Sequence, residues 1–299
     1  MAWWDETGSV LGELADRVGP SVVGVEQRGT AGSGVVMEPG KILTNAHNLR
    51  GDSVDVAFPG GAAAKGRVVG VDVDGDLGVV AVETGSRPAL QPSPAAGSLS
   101  LGAPVFALSN PGGMGLRVSL GFVSGTERSF RGPRGRRISG GTEHTAPLLP
   151  GSSGGPIVDA SGGLLGINTN RLGEGFYLAL PADEDLWARA AALGRGEAPS
   201  RPRLGIGVAP ADMARRLRRA VGLPEADGLL VRHVDEDGPA GRAGIAEGDL
   251  IVAVDGRPVT EADDLHDALG AAREGSVTIA VVRGTEERSV SISLGATAA

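Results

Sequence analysis

Between residues 22 and 180 the chain never sustains a helical period. Short β-type runs at 22–26, 34–37, 54–58, 67–71, 77–82, 105–108, 118–123, 157–158, 164–168 and 176–180 follow one another, separated by Gly, Pro and Asp. A run of about five residues between turn formers is the length of a strand and too short for a helix. The segment is therefore expected to be all-β. Its composition agrees: 50 glycines and only 3% aromatic residues imply many turns, with cores made of Val, Leu, Ile and Ala.

Helical spacing occurs only at the edges of this unit. Val10, Leu11, Leu14 and Val18 share one face in the segment 1–21, and Leu186, Trp187, Ala190 and Leu193 share another, with Asp183 placed to cap the second helix. Residues 194–202 carry Gly, Glu, Ala, Pro, Ser and Arg without apolar periodicity and are expected to be a linker. Beyond it the pattern is mixed: helices at 211–221 and 261–272, strands at 228–234, 249–254, 276–283 and 288–294. A length of 299 residues accommodates two domains, each large enough to bury a core.

Several function classes recede on composition. A net charge of −8 supplies no basic footprint, so nucleic acid is not expected as a partner. With no cysteine, disulfides and thiolate metal ligands are excluded, and neither a metal nor a cofactor is expected. No apolar stretch reaches the roughly 18 residues of a membrane span. The start, Met1-Ala2-Trp3-Trp4-Asp5-Glu6, has neither a basic nor an apolar leader region. As written the chain is expected in the cytoplasm, or outside it if a leader was removed. Lysine occurs only at Lys41 and Lys65 while arginine is abundant, a bias typical of GC-rich bacterial genomes.

The run Pro150-Gly151-Ser152-Ser153-Gly154-Gly155-Pro156 is built like a nucleophile turn. Small residues on both sides let the backbone bend sharply, exposing the Ser153 hydroxyl and aiming the amides of Gly151 and Ser153 at one point. A plain flexible Gly-Ser turn has the same local composition. A base and an orienting carboxylate are found upstream. His47 ends the apolar run Lys41-Ile42-Leu43-Thr44, and Asp76 directly precedes Leu77-Gly78-Val79-Val80-Ala81-Val82, with Asp74 as its nearest substitute. His144 follows Glu143 in a polar segment and is taken for a surface or strand residue. Gly151–Gly155 also satisfies the G-x-S-x-G elbow of α/β-hydrolases, but two strands around a turn follow it, where that fold needs a helix.

Taken together, Thr44-Asn45-Ala46-His47, Asp76-Leu77-Gly78-Val79-Val80 and Gly151-Ser152-Ser153-Gly154-Gly155 resemble the motifs of chymotrypsin-like serine proteases of the HtrA (Deg) family. The likeness extends to Pro20-Ser21-Val22-Val23, Gly32-Ser33-Gly34-Val35, Asn110-Pro111-Gly112 and Gly121-Phe122-Val123-Ser124. It implies a chymotrypsin-like double β-barrel over 22–193, with His47 as general base, Asp76 as its orienter, Ser153 as nucleophile, and Gly151 and Ser153 as the oxyanion hole. It places Pro147 at the floor of the specificity pocket, followed by Leu148. Tyr177 stands where the family has a glycine near the pocket wall. With no acid at that floor, uncharged aliphatic residues are expected before the scissile bond, and smaller ones if Tyr177 points inward.

The segment from Gly238 to Gly256 resembles the signature of bacterial PDZ domains, a match extending over 203–295. The resemblance assigns Leu204, Gly205 and Ile206 to a loop that receives a peptide carboxylate, with the peptide added as a strand. Leu265, Ala268 and Leu269 share a helix face that either lines the groove or packs the small core. Expected partners are unfolded polypeptide substrates, hydrophobic peptide C-termini and two further copies in a homotrimer, with Trp3 and Trp4 placed for such contacts. The arginine-rich loop 128–137 is a candidate relay between peptide binding and the active site, or simply a solvated loop. Two other activities stay open: a catalytically silent chaperone or scaffold, and a hydrolase of small esters.

Overall fold

The computed structural model describes residues 3–132, 135–197, 203–270, 272 and 275–294, with the side chains of Trp3 and Trp4 outside the description. It divides into two compact units, Met1–Pro199 and Ser200–Ala299. The first begins with helix α1 (Trp3–Val18) and six strands: β1 (Val22–Gln27), β2 (Thr30–Glu38), β3 (Lys41–Thr44), β4 (Ser53–Ala57), β5 (Ala63–Asp72) and β6 (Leu77–Ala81). These close into a barrel in the order β1-β2-β3-β6-β5-β4. Six more strands, β7 (Pro104–Ser109), β8 (Arg117–Arg131), β9 (Arg137–His144), β10 (Pro156–Val158), β11 (Leu164–Gly173) and β12 (Phe176–Pro181), close a second barrel in the order β10-β11-β12-β9-β8-β7. Helix α2 (Glu184–Gly194) follows; its N-cap Asp183 accepts the Leu186 amide at 2.8 Å.

The strand period of two explains how the barrels are joined. Val23, Val25, Val36, Ile42, Val56 and Val80 fill the inside of the first barrel, and Val105, Ala107, Val123, Ile157, Leu165 and Ala179 the inside of the second. Their neighbours Val35, Leu43, Leu77, Val79, Leu108, Val158, Leu164, Leu178 and Leu180 point the other way and merge into a third cluster. Leu14 and Val18 of α1 and Leu186, Ala190 and Leu193 of α2 complete it. The strands at the seam are therefore buried on both faces, which accounts for their continuous apolar runs. Removing one such leucine is worth roughly 2–5 kcal/mol, enough to hold the two barrels in fixed register.

Two expectations change here. Residues 128–137 do not form a loop: β8 runs to Arg131 and β9 starts at Arg137, so only the tip is unpaired. Irregularly spaced arginines and glycines interrupt the apolar alternation along this ribbon, which hides its strand period in the sequence. Arg134 lies outside the described residues, as do residues 198–202 of the expected linker. His144 lies in β9, as one alternative had it, but it is wholly buried and not at the surface.

The second unit is a sheet in the order β13-β14-β15-β17-β18, formed by β13 (Ile206–Ala209), β14 (Leu229–Val234), β15 (Leu250–Val254), β17 (Ser276–Arg283) and β18 (Glu286–Ser293), with the short β16 (Arg257–Pro258) paired to β15. Helices α3 (Ala211–Ala220), α4 (Pro239–Arg242) and α5 (Ala262–Gly270) accompany it. Leu229, Ile251, Ile279 and Ile292 form its core together with Leu204, Leu265 and Leu269. Strand β13 is an edge of this sheet.

Candidate active site

Barrel closure brings the ends of β3 and β6 next to each other, and this sets Asp76 against His47. His47 sits on a single 3₁₀ turn (Ala46–Asn48) after β3, and Asp76 on the turn between β5 and β6. The Asp76 carboxylate lies 3.0 Å from His47 Nδ1 through each oxygen, and Oδ1 also accepts the His47 amide at 3.1 Å. A carboxylate only accepts, so Nδ1 carries the proton and Nε2 presents its lone pair. Asp76 is 1% exposed and has φ 53°. This left-handed backbone is uncommon outside Gly, Asn and Asp; it is held by Asn45, whose Nδ2 donates to the Asp76 carbonyl at 3.1 Å.

The second barrel contributes Ser153 and Thr169. Thr169 Oγ1 donates to Asp76 Oδ2 at 2.6 Å, spanning the two barrels, while its carbonyl accepts the Ser153 hydroxyl at 2.7 Å. Thr169 thus touches the acid with its side chain and the serine with its backbone. In this state the Ser153 hydroxyl donates to a carbonyl.

The peptide groups around Ser153 can be accounted for one by one. The peptide 151–152 is pinned at both edges: Ser33 Oγ donates to Gly151 O at 2.9 Å, and Ser152 N donates to Leu149 O at 3.1 Å. The peptide 153–154 is pinned likewise, its carbonyl by Ser33 N (2.8 Å) and Asn48 Nδ2 (3.0 Å), its amide by Asn168 O at 2.8 Å. Gly155 N donates to Ser152 O at 3.0 Å. The amides of Gly151 and Ser153 donate to no protein group among the described residues. An oxyanion hole needs two amides that are not already engaged. Glycine is obligatory within this turn. Gly154 has φ +90°, and a Cβ there would stand 2.0 Å from Ser33 O.

Ser33, Asn48 and Asn110 were not assigned by sequence reasoning, although Gly32-Ser33-Gly34 and Asn110-Pro111-Gly112 carried part of the resemblance. Ser33 is fully buried; its hydroxyl accepts the Asn110 amide at 3.0 Å while donating to Gly151. Ser152 is buried too, with Oγ on Ser109 Oγ at 3.0 Å. Only Ser153 of the two serines bonds toward Thr169.

Of the three expected pocket residues, Pro147 and Leu148 line a cavity of about 160 Å³ with Ala107, Ser109, Arg117, Ser119 and Ser152. Tyr177 does not line it. The ring is 7% exposed, and its hydroxyl donates to Leu148 O at 3.2 Å, so Tyr177 points inward beneath the loop. In the second unit, Gly205 has φ +74°, and the carbonyls of Leu204 and Gly205 accept the amides of Ala240 (3.0 Å) and Asp235 (2.8 Å). A trans peptide carries N–H and C=O on opposite edges; tying those carbonyls down turns the amides of Gly205 and Ile206 away from them. Leu204, Leu265, Ala268 and Leu269 are buried, and Ile206 is half-buried against the same core. Among the described residues no cluster suited to a metal ion occurs, and no helix is long and apolar enough to cross a membrane.

Fold and site together define a trypsin-like serine peptidase domain joined to a PDZ domain. The family model "Trypsin-like peptidase domain" matches residues 32–167, and "PDZ domain" matches 202–294. Serine endoprotease DegS of Escherichia coli strain K12 is 32% identical over 306 residues, covering 93% of this chain and 83% of that protein. The probable periplasmic serine endoprotease DegP-like of Halomonas elongata is 32% identical over 278 residues; the match takes in 90% of this chain but only 57% of that longer protein. In structure, the HtrA-type protease AlgW with decapeptide superposes at a TM-score of 0.76 with 25% identity, over 97% of this chain and 99% of that one. The chain belongs to the HtrA (Deg) family of serine proteases.

Proposed function

We propose that the protein is a serine endopeptidase that hydrolyses unfolded polypeptides through an acyl-enzyme, and that its PDZ domain binds peptide C-termini. The observation that carries this reading is the link from His47 through Asp76 and Thr169 to Ser153, made by residues of two barrels. The Ser153 hydroxyl turns from Thr169 O to His47 Nε2, which takes its proton as Oγ attacks the scissile carbonyl carbon. The amides of Gly151 and Ser153 hold the resulting oxyanion. Asp76 keeps Nδ1–H in place and stabilises the imidazolium. His47 then gives its proton to the leaving amine, and water repeats the sequence on the acyl group. A fluorophosphonate should label Ser153, and casein should be degraded far faster than p-nitrophenyl acetate turnover would account for. An unlabelled Ser153 in folded protein would leave the chaperone or scaffold reading in its place.

For the pocket, the proposal is a small, uncharged residue before the scissile bond. A cavity of about 160 Å³ is below the ~300–1,000 Å³ of common ligand pockets, and that size favours Ala or Val over Leu. Efficient cleavage after Arg in a peptide-library profile would refute it. At the PDZ domain, edge strand β13 and the turned-out amides of Gly205 and Ile206 suit an added peptide strand ending in a carboxylate. Coupling to the protease is proposed to run through the β8–β9 ribbon, where Arg136 Nη1 meets Asp74 Oδ2 at 3.1 Å, two residues before Asp76. A hydrophobic peptide with a free C-terminus should change kcat/KM of the full chain by about 5- to 150-fold, and the same peptide amidated should not. Assembly into a trimer is also proposed; light scattering across concentrations tests it.

A further inference from the structure

Among the described residues, His144 is a wholly buried titratable side chain near the site that the reaction above does not use. It is fully buried on β9, and Nε2 lies 2.9 Å from Asn168 Oδ1. Asn168 Nδ2 donates to the carbonyls of Gly155 (3.1 Å) and Pro156 (3.4 Å), which leaves its oxygen for the imidazole and makes Nε2 the donor. Asn168 also receives Gly154 N and donates its own amide to Gly155 O, both at 2.8 Å. It therefore grips the chain immediately after Ser153. On the other side, the His144 ring stacks on Tyr177 at 5.9 Å between centroids, and Tyr177 holds the carbonyl of Leu148, before Ser153. Two touching rings are thus tied to both arms of the nucleophile turn.

We propose that His144 is a positioning residue: stacked on Tyr177, its imidazole braces the two arms of the turn 147–156 so that Ser153 and the amides of Gly151 and Ser153 keep their geometry. This rests on Ser153 being the nucleophile. The imidazole does the task only while uncharged. Nδ1 is buried without a partner among the described residues, so a second proton there would find no acceptor among them. Burial lowers the pKa to about 4 against the opposing effect of the Asn168 bond. The neighbouring groups offer the charged form no help. Glu143 on β9 is taken by Arg128 and Ser124, β8 brings Val123, and β12 brings the Tyr177 ring. The charge contributed by β11 is Arg171, whose guanidinium lies 5.8 Å from the Tyr177 ring centre.

The full chain tests this with a serine-directed fluorophosphonate, a short peptide substrate and ¹⁵N spectra of the histidine rings. His144→Phe keeps the stacked ring and loses the donor; His144→Gln restores a donor without the ring. We expect His144→Phe to slow phosphonylation of Ser153 and kcat by roughly tenfold with KM changed less than twofold, and His144→Gln to recover part of that loss. Tyr177→Phe, which removes one hydroxyl, should give a smaller loss of the same kind. In wild type, His144 should be the Nε2–H tautomer and stay neutral from pH 8 to 5. Unchanged phosphonylation in His144→Phe, or an Nδ1–H or charged His144 in that range, overturns the brace. Should the phenylalanine variant fail to fold, Tyr177→Phe and the wild-type spectra still decide. Absence of labelling in wild type would instead strike the nucleophile assignment.

Discussion

The two units differ in what they bury. In the protease unit Ser33, Asn48, Asn168 and Thr169 are buried polar side chains, and each hydrogen-bonds directly to the nucleophile turn or to the Asp76 carboxylate. In the PDZ unit the buried polar side chains, Arg218, Asp249 and Asp263, are few and scattered. Asp249 pairs with Arg283 at 2.7 Å, a contact that ties β17 to the chain before β15. Buried polar groups are costly unless satisfied. A peptidase must hold particular amides and a hydroxyl to within tenths of an ångström, so it buries a network around them. A module that recognises peptide by adding a strand uses its own backbone edge and needs only a packed core beneath.

The sharpest way to break this contrast is to remove a reacting group. Ser153→Ala or His47→Ala should lower kcat by on the order of 10⁴–10⁶-fold, whereas Ser152→Ala, losing only its bond to Ser109, should cost a few-fold in steady-state assays. Equal losses at both serines would mean a wrong nucleophile or a collapsed loop. Next in size is Gly154→Ala, where the added methyl meets the Ser33 carbonyl. We expect a loss of about 10²-fold or more in kcat, with PDZ peptide affinity, read by fluorescence anisotropy, unaffected.

A pH experiment separates the units further. His144 has a folded pKa of about 4 against 6.5 unfolded, so the unfolded chain binds the extra proton between those values. Stability from this group is complete above pH 6.5 and falls by about 3 kcal/mol on the way to pH 4. Chemical denaturation of the protease transition should show that slope, and His144→Phe should flatten it. At Asp249 burial pulls the pKa up, but Arg283 and the Ala246 amide outweigh it and hold the carboxyl below its usual value. Its contribution is present above the unfolded Asp pKa and is lost only as pH falls below it, a more acidic window than that of His144. Smallest is Asp249→Asn, expected to cost the PDZ transition about 1–3 kcal/mol and to leave kcat on a short peptide unchanged. A fall in kcat there would show that the two units do not keep their networks separate.

Much of the architecture was legible because strand period, turn formers and motif order are local. The runs 22–26 and 77–82 read as strands since both faces are apolar at the seam, and Asp183 read as a cap from its place alone. The β8–β9 ribbon was misread for the opposite reason: its arginines and glycines mask the alternation. His144 was ambiguous because its neighbours Glu143 and Thr145 are polar, and the side chains that bury it, Asn168 and Tyr177, come from strands far along the chain.

By itself the sequence singled out the residues proposed to carry chemistry: His47, Asp76 and Ser153 stand in local contexts suited to the proposed reaction, and glycines at 151, 154 and 155 permit the turn. Only the tertiary structure decided how that turn is held. Ser33, Thr169, Asn168 and His144 act through partners 118, 93, 13 and 24 residues away respectively. Hydrogen bonds of that kind depend on barrel closure and on the seam between barrels, and no local pattern encodes them. It is also the tertiary structure that turned Tyr177 inward. The pairing of β9 with β12 sets it opposite His144, and at that place one ring has to fill the space beside the other.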